Sequence, residues 1–360
     1  MDFDISTRLY HENNCVLAHS NELCALGTKA LIVTGRNSSR KNGSLDDVTA
    51  ALATHNIPYV VFDKIEENPS VESVIAGAQY GASEIVDFVI GIGGGSRLDA
   101  SKAIALLIAN SKFDKDFLYT PIPNAPHLPV AAVPTTCGTG SEVTGVSVLT
   151  LHSSHTKKSI SHQIFPEIAF VDSKYLKAAP NQIITSTALD ALAHLCESFL
   201  HAKADVKSRK AVEKGLTIWG EAKNDLADHN FTDDVLDKLM SASVYAGIAI
   251  RYTGTSIPHG LSYRVTYECK MAHGLACAVF LPPFIENAPA NCQKQMLEWL
   301  DFTNFNELKN FIVTLCNGCE IPRDILELSI GDMLKNKAKL ASACYPIDEK
   351  MLRTIAEYHC

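Results

Sequence analysis

Short, wholly apolar runs alternate with amphipathic stretches through the first half of the chain. Ala30-Leu31-Ile32-Val33-Thr34-Gly35, Tyr59-Val60-Val61-Phe62, Phe88-Val89-Ile90-Gly91-Ile92, Val130-Ala131-Ala132-Val133 and Ile168-Ala169-Phe170-Val171-Asp172 each read as a strand. Between them, Asp46–His55, Val71–Tyr80 and Leu98–Ala109 read as helices. Continuously apolar strands alternating with helices predict a parallel sheet covered on both faces. From Asn181 onward the pattern turns helical almost throughout, with helices expected over Ser186–Ala202, Val206–Ala222, Asp233–Ile250, Met296–Trp299, Glu307–Cys316 and Glu349–His359. The expected fold class is an α/β N-terminal domain, residues 1–179, followed by an all-helical C-terminal domain, residues 180–360, with the boundary near Ala178-Ala179-Pro180.

Two segments of the first half carry candidate chemistry. The Phe88 strand runs into Gly93-Gly94-Gly95-Ser96 and then into a helix. Consecutive glycines there let backbone N–H groups approach a diphosphate closely, and the helix N-terminus favours its charge. The spacing matches neither G-x-G-x-x-G nor a Walker A loop, and a plain glycine turn has the same composition. Pro134-Thr135-Thr136-Cys137-Gly138-Thr139-Gly140-Ser141-Glu142 offers hydroxyls that suit a polar nucleotide cleft, although it would also serve as an ordinary turn.

The helical half carries a different signal. Asp190 and His194 stand four residues apart in Thr187–His194, a stretch without Gly or Pro, so both project from one helix face about 5–6 Å apart. His259 lies between Pro258 and Gly260, and His273 precedes Gly274. One carboxylate with three imidazoles suits Fe(II), Zn(II), Mn(II) or Ni(II). A helical Asp-x-x-x-His pair alone is more often an ion pair, and the chain has 13 histidines, so spacing by itself does not decide.

The motifs together resemble one family. Gly-Gly-Gly-Ser-x-x-Asp-x-x-Lys (Gly93 to Lys102), Pro-Thr-Thr-x-Gly-Thr-Gly-Ser-Glu (Pro134 to Glu142), Asp-Ala-Leu-x-His (Asp190 to His194) and the His259/His273 pair follow the order of the iron-containing alcohol dehydrogenases, over roughly residues 5–285. The resemblance implies a dehydroquinate-synthase-like architecture, with a dinucleotide-binding α/β domain and an all-helical metal-binding domain. It implies Asp190, His194, His259 and His273 as ligands of Fe(2+), with Zn(2+) as an alternative occupant. It implies Gly93, Gly94, Gly95 and Ser96 as the pyrophosphate loop, with Asp99, Thr135, Thr136, Thr139, Ser141 and Lys157 as further cofactor contacts.

Two departures from the family pattern matter. Where many members carry a further histidine, four residues after the third ligand, this chain has Tyr263, whose phenol could donate a hydrogen bond or simply pack. Where NAD-preferring relatives carry an aspartate after the first strand, this chain has Gly35, followed by Asn37, Ser38, Arg40 and Lys41, with no acid before Asp46. Small polar and cationic residues there suit a 2′-phosphate, so NADP(H) is expected over NAD(H). The implied activity is a metal-dependent alcohol dehydrogenase or aldehyde reductase. No dense Arg/Lys cluster marks the metal segments, which favours small uncharged primary alcohols and their aldehydes. A dehydroquinate synthase-like or glycerol dehydrogenase-like enzyme of the same superfamily is the alternative, and a non-catalytic nucleotide-binding protein a third reading.

Composition narrows the setting. A net charge of −8 and a pI near 5.9 argue against a general nucleic-acid surface. No apolar run approaches the ~18–20 residues a membrane span needs, and Met1-Asp2-Phe3-Asp4-Ile5 has no signal-peptide core. The 11 cysteines are scattered, which reads as free thiols in a cytoplasmic enzyme; Cys316 and Cys319 have CxxC spacing but no second pair. A homodimer is what the resemblance suggests.

Overall fold

The computed structural model describes residue 3 and residues 5–316 and 318–357. The chain divides into two compact units, Met1–Thr136 with Ser141–Pro180, and Cys137–Gly140 with Asn181–Cys360.

The first unit is built on strands β1 (Arg8–His11), β2 (Ala30–Val33), β3 (Tyr59–Phe62), β4 (Phe88–Gly93), β5 (Val130–Pro134), β6 (Val148–Leu151), β7 (Thr156–Ser159) and β8 (Ile168–Val171). Six of them form one parallel sheet in the order β1-β8-β5-β4-β2-β3. Every residue of β2, β4, β5 and β8 is buried, because helices cover both faces; this is why those strands read as unbroken apolar runs. Each Leu or Ile so buried contributes about 1.5–3 kcal/mol. One face packs on the helices Val71–Ser83 and Gly95–Asn110, the other on Ser44–Thr54.

Strand order reverses between β2 and β4, so the loops leaving these two strands splay apart at their carboxyl ends. Open α/β sheets bind ligands at such a point. Gly35 follows β2 and the glycine run ends β4, so both candidate cofactor segments flank this switch.

Two features were not expected. β1 pairs in parallel with β8 at the sheet edge, although Arg8-Leu9-Tyr10-His11 shows no apolar run; edge strands need no continuous apolar face. β6 and β7 form a separate antiparallel hairpin whose second strand, Thr-Lys-Lys-Ser, is half exposed.

The named elements of the second unit are all helices, with one isolated antiparallel bridge between His201 and Ala343. Its long helices are Asn181–Phe199, Val206–Ala227 and Asp233–Thr253. The sequence pattern missed Ile257–Cys269, His273–Ala278 and Leu281–Glu286, whose prolines and glycines suggest turns. Pro258, Pro282 and Pro283 stand in first helical turns, where a missing N–H costs nothing. The final helix is Glu349–Ala356; His359, expected to end it, lies outside the described residues.

No helix among the described residues is long and apolar enough to cross a membrane.

Candidate metal centre and cofactor loop

Helix Asn181–Phe199 carries Asp190, His194 and Glu197, spaced four and three residues apart and all buried, so one helix face presents all three. His259 enters from the first turn of Ile257–Cys269, and His273 opens His273–Ala278. The glycine after His273 has a steric reason. A Cβ on Gly274 would lie 1.7 Å from the Ser186 carbonyl oxygen and 3.1 Å from Asp190 Cβ, so only glycine lets this helix press against the one bearing Asp190.

Around Asp190 the distances are short. Its Oδ1 is 3.3 Å from His259 Nε2 and 4.0 Å from His273 Nε2, and its Oδ2 is 4.0 Å from His194 Nδ1. Asp190, His259, His273 and Cys277 each offer a donor atom within 4.8 Å of all the others. His194 stands at the rim of this group. Its Nδ1 faces the Gly138 carbonyl at 3.2 Å and its ring stacks on His259 at 4.3 Å, which leaves Nε2 as its remaining donor. His273 is the open side, its side chain 24% exposed while those of Asp190 and His259 are almost sealed.

The residues fit a divalent ion. Asp190 Oδ1 and His259 Nε2 are buried, and neither has a hydrogen-bond partner among the described residues. Leaving two such atoms unsatisfied in a protein interior costs about 1–3 kcal/mol each, and a cation between them removes that cost. The charge states agree. Burial opposes ionisation of Asp190, but the imidazoles of His194, His259 and His273 hold its carboxyl well below the usual range. Burial drives His194 down to about 4, so its ring is neutral at pH 7 and able to ligate. Burial also pulls on His259, yet Cys277, Glu197 and Asp190 outweigh it and keep this imidazole above its ordinary value. A bound ion and that proton compete for one nitrogen.

Glu197 was not singled out from the sequence, although its spacing of seven from Asp190 was readable. Its carboxylate accepts from His259 Nδ1 at 2.6 Å, from the His259 backbone N–H at 2.8 Å and from the Ser256 N–H at 3.1 Å. The carboxylate fixes the ring with Nε2 turned toward Asp190. Glu197→Gln should therefore weaken metal affinity about 10–100-fold without unfolding the protein. Competition with a chromogenic chelator measures this; unaltered affinity would show that Glu197 does not set the ring.

Tyr263 lies beside His273, ring centroids 6.2 Å apart and nearly parallel. Burial raises its phenol further above neutrality, so it stays protonated and acts only as a donor or a packing surface.

In the first unit, Gly93 adopts φ 147°, which side-chain-bearing residues rarely reach, Gly94 caps the helix and Gly95 is its first residue. The run is thus the strand-to-helix junction itself, with the first-turn N–H groups at its mouth. Thr135 donates its N–H to the Gly93 carbonyl at 3.0 Å, and Thr136 packs beside Gly94. Ser96 Oγ accepts the Asn68 N–H at 3.0 Å. Asp99 is spent on the scaffold: it accepts from Ser141 Oγ at 2.6 Å and from the Val148 N–H at 2.8 Å. Fully buried Lys102 donates to Ser141 at 2.7 Å, and Lys157 adds a charge interaction with Asp99. Thr139 belongs to the short run that groups with the second unit. Asn37 and Ser38 are exposed after β2, while Gly35 is buried.

A side chain at Gly94 would begin 2.9 Å from Thr136 Oγ1 and block the approach to the loop. Gly94→Val should raise the cofactor Kd at least about tenfold, ~1.4 kcal/mol. Unchanged affinity in a fluorescence titration, with the fold intact, would reduce the loop to a turn.

The profile described as iron-containing alcohol dehydrogenase matches residues 6–173, and that of the C-terminal part of the Fe-containing alcohol dehydrogenase family matches residues 184–337. A crystal structure of an iron-containing alcohol dehydrogenase superposes with a TM-score of 0.91 at 30% identity, covering 99% of this chain and 98% of its own. Long-chain-alcohol dehydrogenase 1 of Geobacillus thermodenitrificans is 27% identical over 360 aligned positions, 93% of this chain and 91% of that protein. The NADPH-dependent butanol dehydrogenase of Clostridium saccharobutylicum is 27% identical over 340, 88% of this chain and 84% of that protein. With both halves matched and a solved relative aligned end to end, the chain belongs to the iron-containing alcohol dehydrogenase family and is an NAD(P)-linked oxidoreductase of alcohols and aldehydes.

Proposed function

We propose that the second unit holds one divalent ion through Asp190, His194, His259 and His273, Fe(2+) by preference or Zn(2+), and that the substrates are small uncharged primary alcohols and their aldehydes. The observation that carries the metal reading is a pair of buried atoms without hydrogen-bond partners among the described residues, Asp190 Oδ1 and His259 Nε2, 3.3 Å apart. When bound, the ion supplies Lewis acidity toward the substrate oxygen, and the nicotinamide gives or takes hydride. The chain does the rest. Asp190 supplies negative charge in a dry pocket, Glu197 orients His259, Gly138 orients His194, and His273 forms the exposed side from which a substrate enters.

The uncharged substrate class rests on where nearby cations are spent. Arg264 is held by Asp332 at 2.6 Å and 2.9 Å. Lys339, half-buried and held down to about 8 by desolvation, donates to the Thr255 carbonyl and hydroxyl at 2.7 Å and 2.6 Å. Neither is offered to a phosphorylated acid, which disfavours dehydroquinate synthase-like chemistry.

NADP(H) is the assigned cofactor, bound through Gly93, Gly94, Gly95, Ser96, Thr135 and Thr136. Gly35, Asn37 and Ser38 lie toward the 2′-phosphate, while Asp99, Ser141 and Lys157 support the loop. The guanidinium of Arg97 supports this choice, since it packs directly against Gly35. We further assign a cytoplasmic homodimer from the resemblance. Nicotinamide absorbance with a panel of short alcohols and aldehydes, before and after chelation, tests the whole reading. Turnover that survives complete metal removal would overturn it.

A further inference from the structure

Cys277 has no part in the chemistry above, yet its thiol sits inside the same donor cluster. It follows His273 by four residues on one helix, so both side chains share a face. Its Sγ is fully buried and lies 3.9 Å from each ring nitrogen of His273. Its donor atom is within 4.8 Å of those offered by Asp190, His259 and His273. Two atoms of that group, Asp190 Oδ1 and His259 Nε2, are buried without hydrogen-bond partners among the described residues. A thiol is a weak hydrogen-bond donor and acceptor, so it does not satisfy them.

We infer that Cys277 is itself a metal ligand, its Sγ joining the set proposed above, Asp190, His194, His259 and His273. On ion uptake the S–H bond breaks, the proton leaves to solvent, and the thiolate sulfur donates to the ion; nothing is oxidised or reduced. A thiolate adds a second negative charge and a soft donor, which Zn(2+) and Co(2+) accept as well as Fe(2+). This inference rests on the proposal that these residues hold a metal, and the test separates the two.

The experiment uses the full-length protein stripped with chelator and reloaded with Zn(2+) or Co(2+). X-ray absorption at the zinc edge should find a sulfur neighbour at about 2.3 Å beside nitrogen and oxygen at about 2.0–2.2 Å. The cobalt form should show a near-ultraviolet sulfur-to-metal charge-transfer band. In Cys277→Ser that band should vanish while elemental analysis still finds cobalt bound. A zinc shell of nitrogen and oxygen alone, or a band that persists in Cys277→Ser, overturns the assignment of Cys277 and leaves the metal site standing. If the wild type takes up no ion at all, both fall. Should the variant not fold, the wild-type zinc spectrum decides alone.

Discussion

Asp190→Asn should retain the fold, lose at least about 100-fold in metal affinity and lose at least about 1,000-fold in turnover. Asp190 is the one carboxylate among the proposed ligands, and it faces His194, His259 and His273 within 4.0 Å. Asparagine keeps the shape but removes the charge that offsets an ion in a dry pocket, where charges are poorly screened. A Lewis acid contributes several kcal/mol to the transition state, and about 4 kcal/mol corresponds to 1,000-fold in rate. His273→Ala should act in the same direction, because it removes the ligand on the exposed side. Elemental analysis showing full occupancy in either variant strikes that residue from the ligand set. The acid dependence has a definite sign. His259 is held above its ordinary value without metal, so protons compete for Nε2 at low pH and metal affinity should rise as pH increases. Affinity that falls with rising pH, measured by competitive chelation, would contradict the proposed coordination through His259.

Gly35→Asp should turn the cofactor preference from NADP(H) toward NAD(H), moving the ratio of the two kcat/KM values by at least about 100-fold, or ~2.7 kcal/mol. The structure adds a partner that the sequence did not reveal. A Cβ at Gly35 would lie 2.8 Å from Arg97 Nη2 and 2.9 Å from Nε, so an aspartate there meets the guanidinium directly. Since those atoms are the far end of a flexible side chain, it can shift and form an ion pair. The substitution therefore acts twice. It adds a carboxylate that repels a 2′-phosphate of charge about −1.5 to −2, and it occupies the cation that would attract it. At 4 Å and an effective dielectric near 20, one unit pair is worth about 4 kcal/mol, so 100-fold is a conservative expectation after screening. Arg97 Nε is buried and has no hydrogen-bond partner among the described residues, while Glu67 and Glu66 act on the charge of its guanidinium. Steady-state kinetics with both cofactors decide the matter, and a wild type that already favours NAD(H) refutes the assignment.

The sheet was legible in the sequence because helices bury both of its faces. A strand enclosed on both sides tolerates only apolar residues, and β2, β4, β5 and β8 announce themselves by that constraint. The long helices were legible from their period, and Asp190 with His194 from the spacing that puts two side chains on one helix face. The motifs added the family, and the comparisons bear it out.

What the pattern could not convey was which distant side chains meet. β1 is polar, and its place beside β8 comes from pairing across some 160 residues rather than from its own composition. Arg97 fills one of the unspecified positions of the glycine motif; its contact with Gly35 exists because β2 and β4 are neighbours at the point where strand order reverses. Glu197 and Cys277 each carried a readable helical spacing, but spacing says only that a side chain shares a face. That this face turns inward onto His259, with a glycine at 274 thin enough to bring the two helices together, was decided by packing. Local pattern records what each element must bury. The donors completing the site are chosen by contacts between helices far apart in the chain, and those exist only once the tertiary structure has formed.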